Sequence, residues 1–229
     1  ARTICLAENL SFRGRVGAGS FKETFEVTQP DGRPRALKVY QRGASVDRAA
    51  REIDAMTRCS HPNIAKVARI DRCIVGSDSY LFSLEEFIPG GTLTASLQAN
   101  GQQTPAVLQV FGAMLIDAVA HIASLGLVHR DLKPDNVLLR ADGMTPVIVD
   151  FGLVRDLSAL SLTPSWAMQG PGTPLYSPAE QLLNEKVHID WRADQFSLGV
   201  LFSYCAFGFH PYAEPQDSAG ARHERILGV

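Results

Sequence analysis

The densest group of side chains able to do chemistry lies in the octapeptide HRDLKPDN, residues 129–136. It contains Asp131, Lys133 and Asn136, and Asp150 follows Asn136 by 14 positions at the start of an Asp-Phe-Gly tripeptide. A carboxylate can accept a proton, and an ammonium group can neutralise a negative charge beside it. Amide and carboxylate oxygens are hard ligands suited to Mg²⁺. Each residue alone is an ordinary turn residue, but their order and spacing indicate a site.

The two motifs closely resemble the catalytic loop and the metal-binding motif of eukaryotic-type (Hanks-type) serine/threonine protein kinases. The resemblance implies transfer of the γ-phosphoryl group of Mg-ATP to a serine or threonine hydroxyl of a protein. Asp131 would accept or orient the hydroxyl proton, and Lys133 would place positive charge against the transferred group. Asn136 and Asp150 would be the ligands of Mg²⁺.

Motifs on the nucleotide side extend this resemblance. The pentapeptide GAGSF, residues 17–21, resembles the glycine-rich loop whose backbone amides approach the ATP phosphates. Lys38 matches the strand lysine that contacts the α- and β-phosphates, and Glu52 matches the helix glutamate that forms an ion pair with it. The segment EEFIPGG, residues 85–91, resembles the hinge whose backbone binds the adenine edge. The predicted nucleotide contacts are Val16, Gly17, Ala18, Gly19, Ser20, Thr24, Ala36, Lys38, Glu86, Ile88, Leu138 and Asp150.

Three residues on the nucleotide side depart from the family pattern. Lys22 stands where the third glycine is expected, and it either adds charge near the phosphates or points to solvent. Thr24 replaces the valine that usually covers the adenine. Glu85 falls at the rear of the nucleotide site, where a buried carboxylate must be paired or neutralised. We hypothesise that Glu85 competes with Glu52 for Lys38 in an inactive state.

Residues beyond the catalytic loop are implied to support it. The segment GTPLY, residues 172–176, resembles the end of an activation segment. Thr173 would bridge Asp131 and Lys133, an arrangement associated with serine/threonine specificity. Asp194 matches the residue that anchors the backbone of the catalytic loop. His129 matches a histidine that packs against the phenylalanine of the metal-binding motif, so its implied role is structural.

A regulatory segment is predicted at residues 153–178, which lack periodicity and are rich in Ser, Thr, Pro and Gly. Arg48, Arg130 and Arg155 match basic residues that gather around a phosphorylated activation-loop residue in the family, although independent surface arginines fit the sequence equally well. We expect phosphorylation of this segment to raise activity, with autophosphorylation in trans as one route. The candidate acceptors are Ser158, Ser161, Thr163 and Ser165.

The composition is that of an ordinary globular protein. The chain has 229 residues, of which 45% are hydrophobic, and its formal net charge of -2 offers no basic field for nucleic acid. The four cysteines are scattered, which favours a reducing compartment, and we expect a cytoplasmic location or the cytosolic part of a larger protein. The longest apolar run, residues 196–209, is shorter than the ~20 residues needed to cross a bilayer. We therefore expect no membrane-spanning segment.

The pattern of elements divides the chain at residue 88. Residues 1–88 predict an N-terminal lobe, with strands near residues 12–16, 24–27, 36–40, 73–75 and 80–87 and a helix over residues 45–59. Residues 89–229 predict a larger, mainly helical C-terminal lobe. Thr104 and Pro105 begin one of its helices and Gly126 ends it. A hairpin of residues 137–139 and 147–149 and a core helix over residues 196–209 follow.

The resemblance covers almost the whole chain and implies an α+β, two-lobed protein kinase-like fold, in which a small five-stranded antiparallel sheet lobe with one helix precedes the larger helical lobe. The family continues through further helices, so we expect the C-terminal lobe to be truncated here. Two alternatives stay open. One is a pseudokinase that binds nucleotide or acts as a scaffold without catalysis. The other is a small-molecule phosphotransferase, which would usually lack the pair Lys133-Pro134 and the long activation segment.

Overall fold

The structure is a computed structural model that describes residues 1–18, 22–41, 46–151, 153–157, 173–212, 217 and 219–228. These residues form two compact units. The first unit contains Ala1–Ser60 and Ala65–Ile88, and the second contains His61–Ile64 and Pro89–Val229.

The first unit is built on an antiparallel sheet with the strand order β1-β2-β3-β5-β4. Its described elements are α1 (Arg2–Ala7), β1 (Ser11–Ala18), β2 (Lys22–Thr28), β3 (Pro34–Tyr40), α2 (Val46–Arg58), β4 (Val67–Val75) and β5 (Asp78–Glu86). The predicted five-stranded sheet and its one helix are confirmed, although β4 begins six residues before the predicted strand. Helix α1 was not predicted.

One face of the sheet is apolar because side chains alternate along each strand. Phe25, Leu37, Phe82 and Leu84 project from neighbouring strands to this face. Helix α1 covers it with Ile4, which is 2% exposed. The short N-terminal helix therefore seals the hydrophobic core of the first unit.

The opposite face of the sheet carries the polar residues. Lys38 lies directly across from Thr24 on β2 and from Ser83 on β5, and residues directly opposite in antiparallel strands point to the same face. Lys22, across from Tyr40, belongs to this face as well. Helix α2 reaches this face through Glu52. Alternation thus separates an apolar core from a buried polar layer under α2.

The second unit is mainly helical within its described residues. Its elements are α3 (Leu93–Asn100), α4 (Pro105–Ser124), β6 (Leu127–Val128), β7 (Val137–Leu139), β8 (Pro146–Ile148), β9 (Arg155–Asp156), α5 (Ala179–Leu182), α6 (Trp191–Phe207) and α7 (Ala219–Leu227). Single 3₁₀ turns lie at Pro134–Asn136, Pro174–Tyr176 and Lys186–His188.

Helix α4 begins and ends where the sequence predicts. The Thr104 side chain accepts a hydrogen bond from the Val107 N–H, and Gly126 follows the helix with a φ of 70°. By length and composition alone this helix could cross a bilayer. In this structure it packs against α6, β6 and β8, with Phe111, Leu115 and other side chains buried.

The short strands of the second unit hold the segments that carry the chemical motifs. Strands β7 and β8 form the predicted hairpin, and β6 pairs with β9. The Gly90 N–H donates to the Leu139 carbonyl at 2.8 Å, and a Cβ on Gly90 would lie only 2.4 Å from that oxygen. Only glycine fits this close approach. The catalytic-loop residues therefore lie between β6 and a hairpin whose first strand is held at Leu139 by Gly90 and Gly91.

Candidate active site

Asp194 fixes the backbone at the start of the catalytic loop. Its carboxylate accepts hydrogen bonds from the N–H groups of His129 at 2.8 Å and Arg130 at 2.9 Å. The side chain comes from the first turn of α6 and is fully buried, and this burial raises the pKa of the carboxyl group. The predicted anchoring role of Asp194 is confirmed.

Arg130 adopts a backbone conformation that requires this support. Its φ is 70°, in the left-handed region that a residue with a Cβ rarely occupies, at a cost of about 1–3 kcal/mol. Asp194 holds its N–H, and Nε2 of Gln181 donates to its carbonyl at 2.7 Å. The two hydrogen bonds stabilise the turn that presents Asp131.

His129 has a structural position. Its ring lies edge-on to Phe151, with centroids 4.8 Å apart, as predicted. Nδ1 accepts a hydrogen bond from the Asp131 N–H at 3.3 Å, and Nε2 lies 3.2 Å from the Val149 carbonyl. These partners assign the ring proton to Nε2. The imidazole is completely buried and joins the catalytic loop to the residues before Phe151.

Asp131 lies at the centre of a polar cluster with Lys133 and Thr173. The Thr173 hydroxyl donates to Oδ1 of Asp131 at 2.8 Å and accepts from Nζ of Lys133 at 2.6 Å. Nζ of Lys133 also lies 3.0 Å from Oδ2 of Asp131. The predicted bridge is therefore confirmed. The side chains of Asp131 and Lys133 remain 14% and 22% exposed, so a reactant can reach them.

Asn136 returns to Asp131 through the 3₁₀ turn Pro134–Asn136. Its Nδ2 donates to the Asp131 carbonyl at 2.8 Å and to Oδ2 of Asp131 at 2.9 Å. This use of the nitrogen leaves the amide oxygen, Oδ1, as the atom suited to a metal. Asp150, which has a φ of 66°, supplies a carboxylate in the same unit.

These two oxygen donors fit Mg²⁺, which binds through few protein groups and keeps waters or phosphate oxygens as its other ligands. In the described residues there is no group of three or more His, Cys, Asp or Glu side chains that could hold a metal by itself. A metal that depends on the nucleotide for several ligands matches this donor set.

Residues 174–181 support Thr173 through contacts that were not predicted from the sequence. The Ser197 hydroxyl of α6 donates to the Tyr176 carbonyl at 2.6 Å, and the Ser177 hydroxyl donates to the Thr173 carbonyl at 3.1 Å. Gln181 also donates to Oγ of Ser177 at 3.0 Å. The only sequence signal for Gln181 is its position directly after Pro178-Ala179-Glu180, which matches the end of the activation segment.

Several predicted nucleotide contacts lie in the first unit. Val16, Gly17 and Ala18 end strand β1, whereas Gly19 and Ser20 lie outside the described residues. Thr24 lies opposite Lys38, and Ala36 lies opposite Glu85, on the polar face of the sheet.

Of the two predicted hinge contacts, Glu86 is the last residue of β5 and Ile88 lies in the loop that follows. The Glu86 N–H donates to the Lys66 carbonyl at 2.8 Å, so only the carbonyl of Glu86 can serve an adenine edge. Ile88 is the last residue of the first unit. Leu138 lies in β7 of the second unit and is partly buried. These nucleotide contacts stay predictions.

Lys38 forms an ion pair with Glu85. Its Nζ lies 2.6 Å from Oε2 of Glu85, although the contact lacks the direction of a hydrogen bond. The Ser83 hydroxyl donates to the other oxygen, Oε1, at 2.8 Å. The two charged side chains are 8% and 2% exposed. The pairing that the Glu85 hypothesis requires is present, whereas the inactive state in that hypothesis stays a prediction.

Glu52 pairs with Lys22, and the expected ion pair between Lys38 and Glu52 is wrong for this structure. Lys22 is 7% exposed and Glu52 is 2% exposed, so the solvent-facing alternative for Lys22 is wrong as well. The physical reason is the second buried carboxylate. Glu85 lies on the neighbouring strand β5 and neutralises the ammonium group of Lys38. Lys22, on β2, forms the ion pair with Glu52 instead.

Tyr40 lies in the same polar layer. The ring centroid is 5.6 Å from Nζ of Lys22. Burial raises the pKa of the phenol well above its usual value, and the nearby carboxylate of Glu52 raises it further. Tyr40 therefore stays neutral and contributes its ring face to the environment of Lys22.

Two of the three arginines in the predicted cluster, Arg130 and Arg155, have described side chains. Arg130 is 8% exposed, and Nη1 of Arg155 in β9 donates to the Lys186 carbonyl. The side chain of Arg48 lies outside the described residues, as do the four candidate acceptors, Ser158, Ser161, Thr163 and Ser165. Whether the three arginines surround a phosphorylated residue stays a prediction.

Comparison with known proteins agrees with this geometry. The family model described as "Protein kinase domain" matches residues 10–227. The chain therefore belongs to the protein kinase domain family.

Three similar proteins illustrate the match. A probable serine/threonine-protein kinase PkwA of Thermomonospora curvata is 33% identical over 93% of this chain and 28% of its own length. CBL-interacting protein kinase 8 of Oryza sativa subsp. japonica is 32% identical over 87% of this chain and 44% of its own length. Maternal embryonic leucine zipper kinase of Xenopus tropicalis is 30% identical over 93% and 32%. The chain thus spans less than half the length of these relatives.

Proposed function

We propose that this chain is a serine/threonine protein kinase that transfers the γ-phosphoryl group of Mg-ATP to hydroxyl groups of proteins. The observation that carries the proposal is the position of the Thr173 hydroxyl, 2.8 Å from Oδ1 of Asp131 and 2.6 Å from Nζ of Lys133. A hydroxyl bound in this way is a model, within the chain itself, of the small acceptor hydroxyl that the site would hold.

Asp131 would act on the acceptor hydroxyl, and Lys133 would act on the transferred phosphoryl group. Oδ1 of Asp131, which accepts one hydrogen bond from Thr173, has a second lone pair that can accept from an acceptor hydroxyl and orient its oxygen toward the phosphorus atom. Lys133 lies close enough to the same point to neutralise charge on the transferred oxygens. Because the backbone of the loop is held by Asp194, these groups need little rearrangement when a substrate arrives.

Mg²⁺, when bound, would neutralise phosphate charge through Oδ1 of Asn136 and the carboxylate of Asp150. Asn136 orients its own oxygen by donating from Nδ2 to Asp131. This coupling places the proton acceptor and one metal ligand in a single hydrogen-bonded group, so a change at either residue would disturb the other.

The partners and setting that we propose are protein substrates with serine or threonine acceptors, ATP, and a cytoplasmic or cytosolic location. The unpaired, buried state of Cys5, Cys59, Cys73 and Cys205 supports a reducing compartment. We retain autophosphorylation in trans at Ser158, Ser161, Thr163 or Ser165 as part of this proposal.

Label transfer from γ-labelled ATP to a generic protein acceptor, followed by phosphoamino acid analysis, tests the proposal. We expect Mg²⁺-dependent label in phosphoserine or phosphothreonine, and no label with Asp131→Asn, which controls for a contaminating kinase. Label that is unchanged in Asp131→Asn, or label confined to phosphotyrosine, would contradict the proposal.

A second function, a nucleotide-binding scaffold without catalysis, is favoured by one observation. Lys38, which the family uses for phosphate contacts, is bound to Glu85. A scaffold of this kind would gain thermal stability from Mg-ATP and transfer no label to any acceptor. The label-transfer experiment therefore separates the two functions.

A further inference from the structure

Glu52 forms its ion pair with Lys22. In protein kinases, the lysine that contacts the ATP phosphates is fixed by an ion pair with the helix glutamate. Here the lysine fixed by that glutamate is Lys22, through a buried ion pair between Nζ and Oε1 of Glu52. By the criterion of its partner, Lys22 occupies the role that the sequence assigned to Lys38.

Binding of an ATP phosphate by Lys38 would require breaking the ion pair between Lys38 and Glu85. Its ammonium lies 2.6 Å from Glu85, whose side chain is 2% exposed and whose other oxygen accepts from Ser83. Movement of Lys38 toward a phosphate would leave a carboxylate buried without its counter-charge. The buried pairing with Glu85 therefore opposes the use of Lys38 as a phosphate ligand.

The side chain of Lys22 projects from the same face of the sheet as that of Lys38. Lys22 is the first residue of β2, directly after the glycine-rich segment. It lies across from Tyr40, two residues from Lys38 on β3, so both lysines leave the same face of the sheet. Its charge therefore lies on the nucleotide-facing side that the resemblance assigns to Thr24 and Lys38.

We propose that Lys22 is the lysine that binds the ATP phosphates, that Glu52 is its positioning residue, and that Lys38 and Glu85 form a structural pair. This proposal rests on the proposed function, because it assigns a role at the nucleotide site of a kinase. It changes the residue that must be altered to make an inactive variant of this chain.

Acylation by an ATP γ-acyl phosphate tests the assignment directly. A lysine amine close to the phosphates attacks the acyl carbon, forms an amide and releases ATP, and peptide mass spectrometry locates the amide. We expect labelling at Lys22 to exceed labelling at Lys38 at least fivefold and to be suppressed by excess Mg-ATP. ATP-protected labelling at Lys38 with little at Lys22, or at neither lysine while Mg-ATP raises the melting temperature, would overturn the proposal.

A set of matched variants adds a kinetic readout. We expect Lys22→Met to lower kcat/KM at least tenfold more than the double variant Lys38→Met/Glu85→Leu, which removes both members of the structural pair together. Lys22→Arg should restore part of the loss with ATP KM still raised. Equal losses, a larger loss in the double variant, or a gain in activity with Lys22→Met would overturn the assignment.

The two experiments separate this proposal from the proposed function. Acylation reports nucleotide binding alone, so it identifies the phosphate lysine even if the protein transfers no phosphoryl group. Transfer to protein with acylation at Lys38 would leave the proposed function intact and overturn only the role of Lys22.

Discussion

The carboxylate of Glu85 lies 2.6 Å from the ammonium group of Lys38, and a hydrogen bond from Ser83 completes the pair. Two opposite charges buried on the polar face of the sheet attract each other strongly, but removal from water costs each of them a large desolvation free energy. The pair is therefore more important for what happens when one member is removed than for the stability it adds.

Glu85→Ala should lower the free energy of unfolding by about 3–5 kcal/mol, because it leaves the Lys38 ammonium buried and unpaired. The double variant Lys38→Met/Glu85→Leu should stay within about 1 kcal/mol of the unchanged protein, since apolar replacement of a buried pair is often neutral or stabilising. Urea unfolding followed by circular dichroism measures both. A cost below about 1 kcal/mol for Glu85→Ala would show that water reaches Lys38.

The helix boundaries of the second unit follow from local sequence signals. Thr104, Pro105 and Gly126 delimit α4 by their own backbone chemistry. The catalytic-loop contacts were predicted from the resemblance to kinase motifs instead. The bridge from Thr173 to Asp131 and the anchor from Asp194 to His129 join residues 42 and 65 positions apart, which local signals alone do not bring together.

The polar layer of the first unit could not be predicted in the same way. Glu52 had two candidate partners, Lys22 and Lys38, and the choice depends on where strand β5 places Glu85. The pairing is thus a property of three strands and a helix together. Helix α1 was missed because it is six residues long and its stability comes from covering the sheet.

Thr173→Val should lower kcat about 10- to 100-fold. The substitution keeps the shape of the side chain but removes a hydroxyl that bonds to two charged groups, Asp131 and Lys133, and such bonds contribute about 1.5–3 kcal/mol. Thr173→Ser is the matched control and should retain most of the activity. Steady-state kinetics with a serine peptide measure both, and wild-type kcat in Thr173→Val would show that the bridge has no role in turnover.

Asp142 provides a pH-dependent prediction outside the active site. Hydrogen bonds from the Thr145 hydroxyl and from the N–H groups of Thr145 and Met144 lower the pKa of its carboxyl group to about 2. Because the folded-state pKa lies below the usual 3.8, the stability from this turn is present above about pH 4 and is lost as pH falls through 2.

Carboxyl NMR titration measures that pKa. Thr145→Val removes the largest cause of the shift and should move the pKa of Asp142 toward 3.8. An ordinary pKa for Asp142 in the unchanged protein would mean that the β7–β8 turn does not hold these hydrogen bonds in solution.

Phosphorylation of the activation segment should raise activity. A phosphate on this segment would add two negative charges at most and could bond to Arg130 and Arg155. Replacement of Ser158, Ser161, Thr163 and Ser165 together by alanine should leave the protein at the activity of its phosphatase-treated form. Mass spectrometry after incubation with ATP checks that the acceptors are modified, and full activity in the fourfold variant would refute this regulation.

The role that we propose for Asp131 in phosphoryl transfer to a protein hydroxyl is tested most directly by comparing kcat of the unchanged protein with kcat of Asp131→Asn on a serine peptide. Asparagine preserves shape and removes the proton acceptor, so we expect kcat to fall about 10²- to 10⁴-fold. Binding of a fluorescent ADP analogue should stay within about twofold, in line with a site whose backbone is held by Asp194 rather than by Asp131. Equal kcat values for the two proteins would contradict the account.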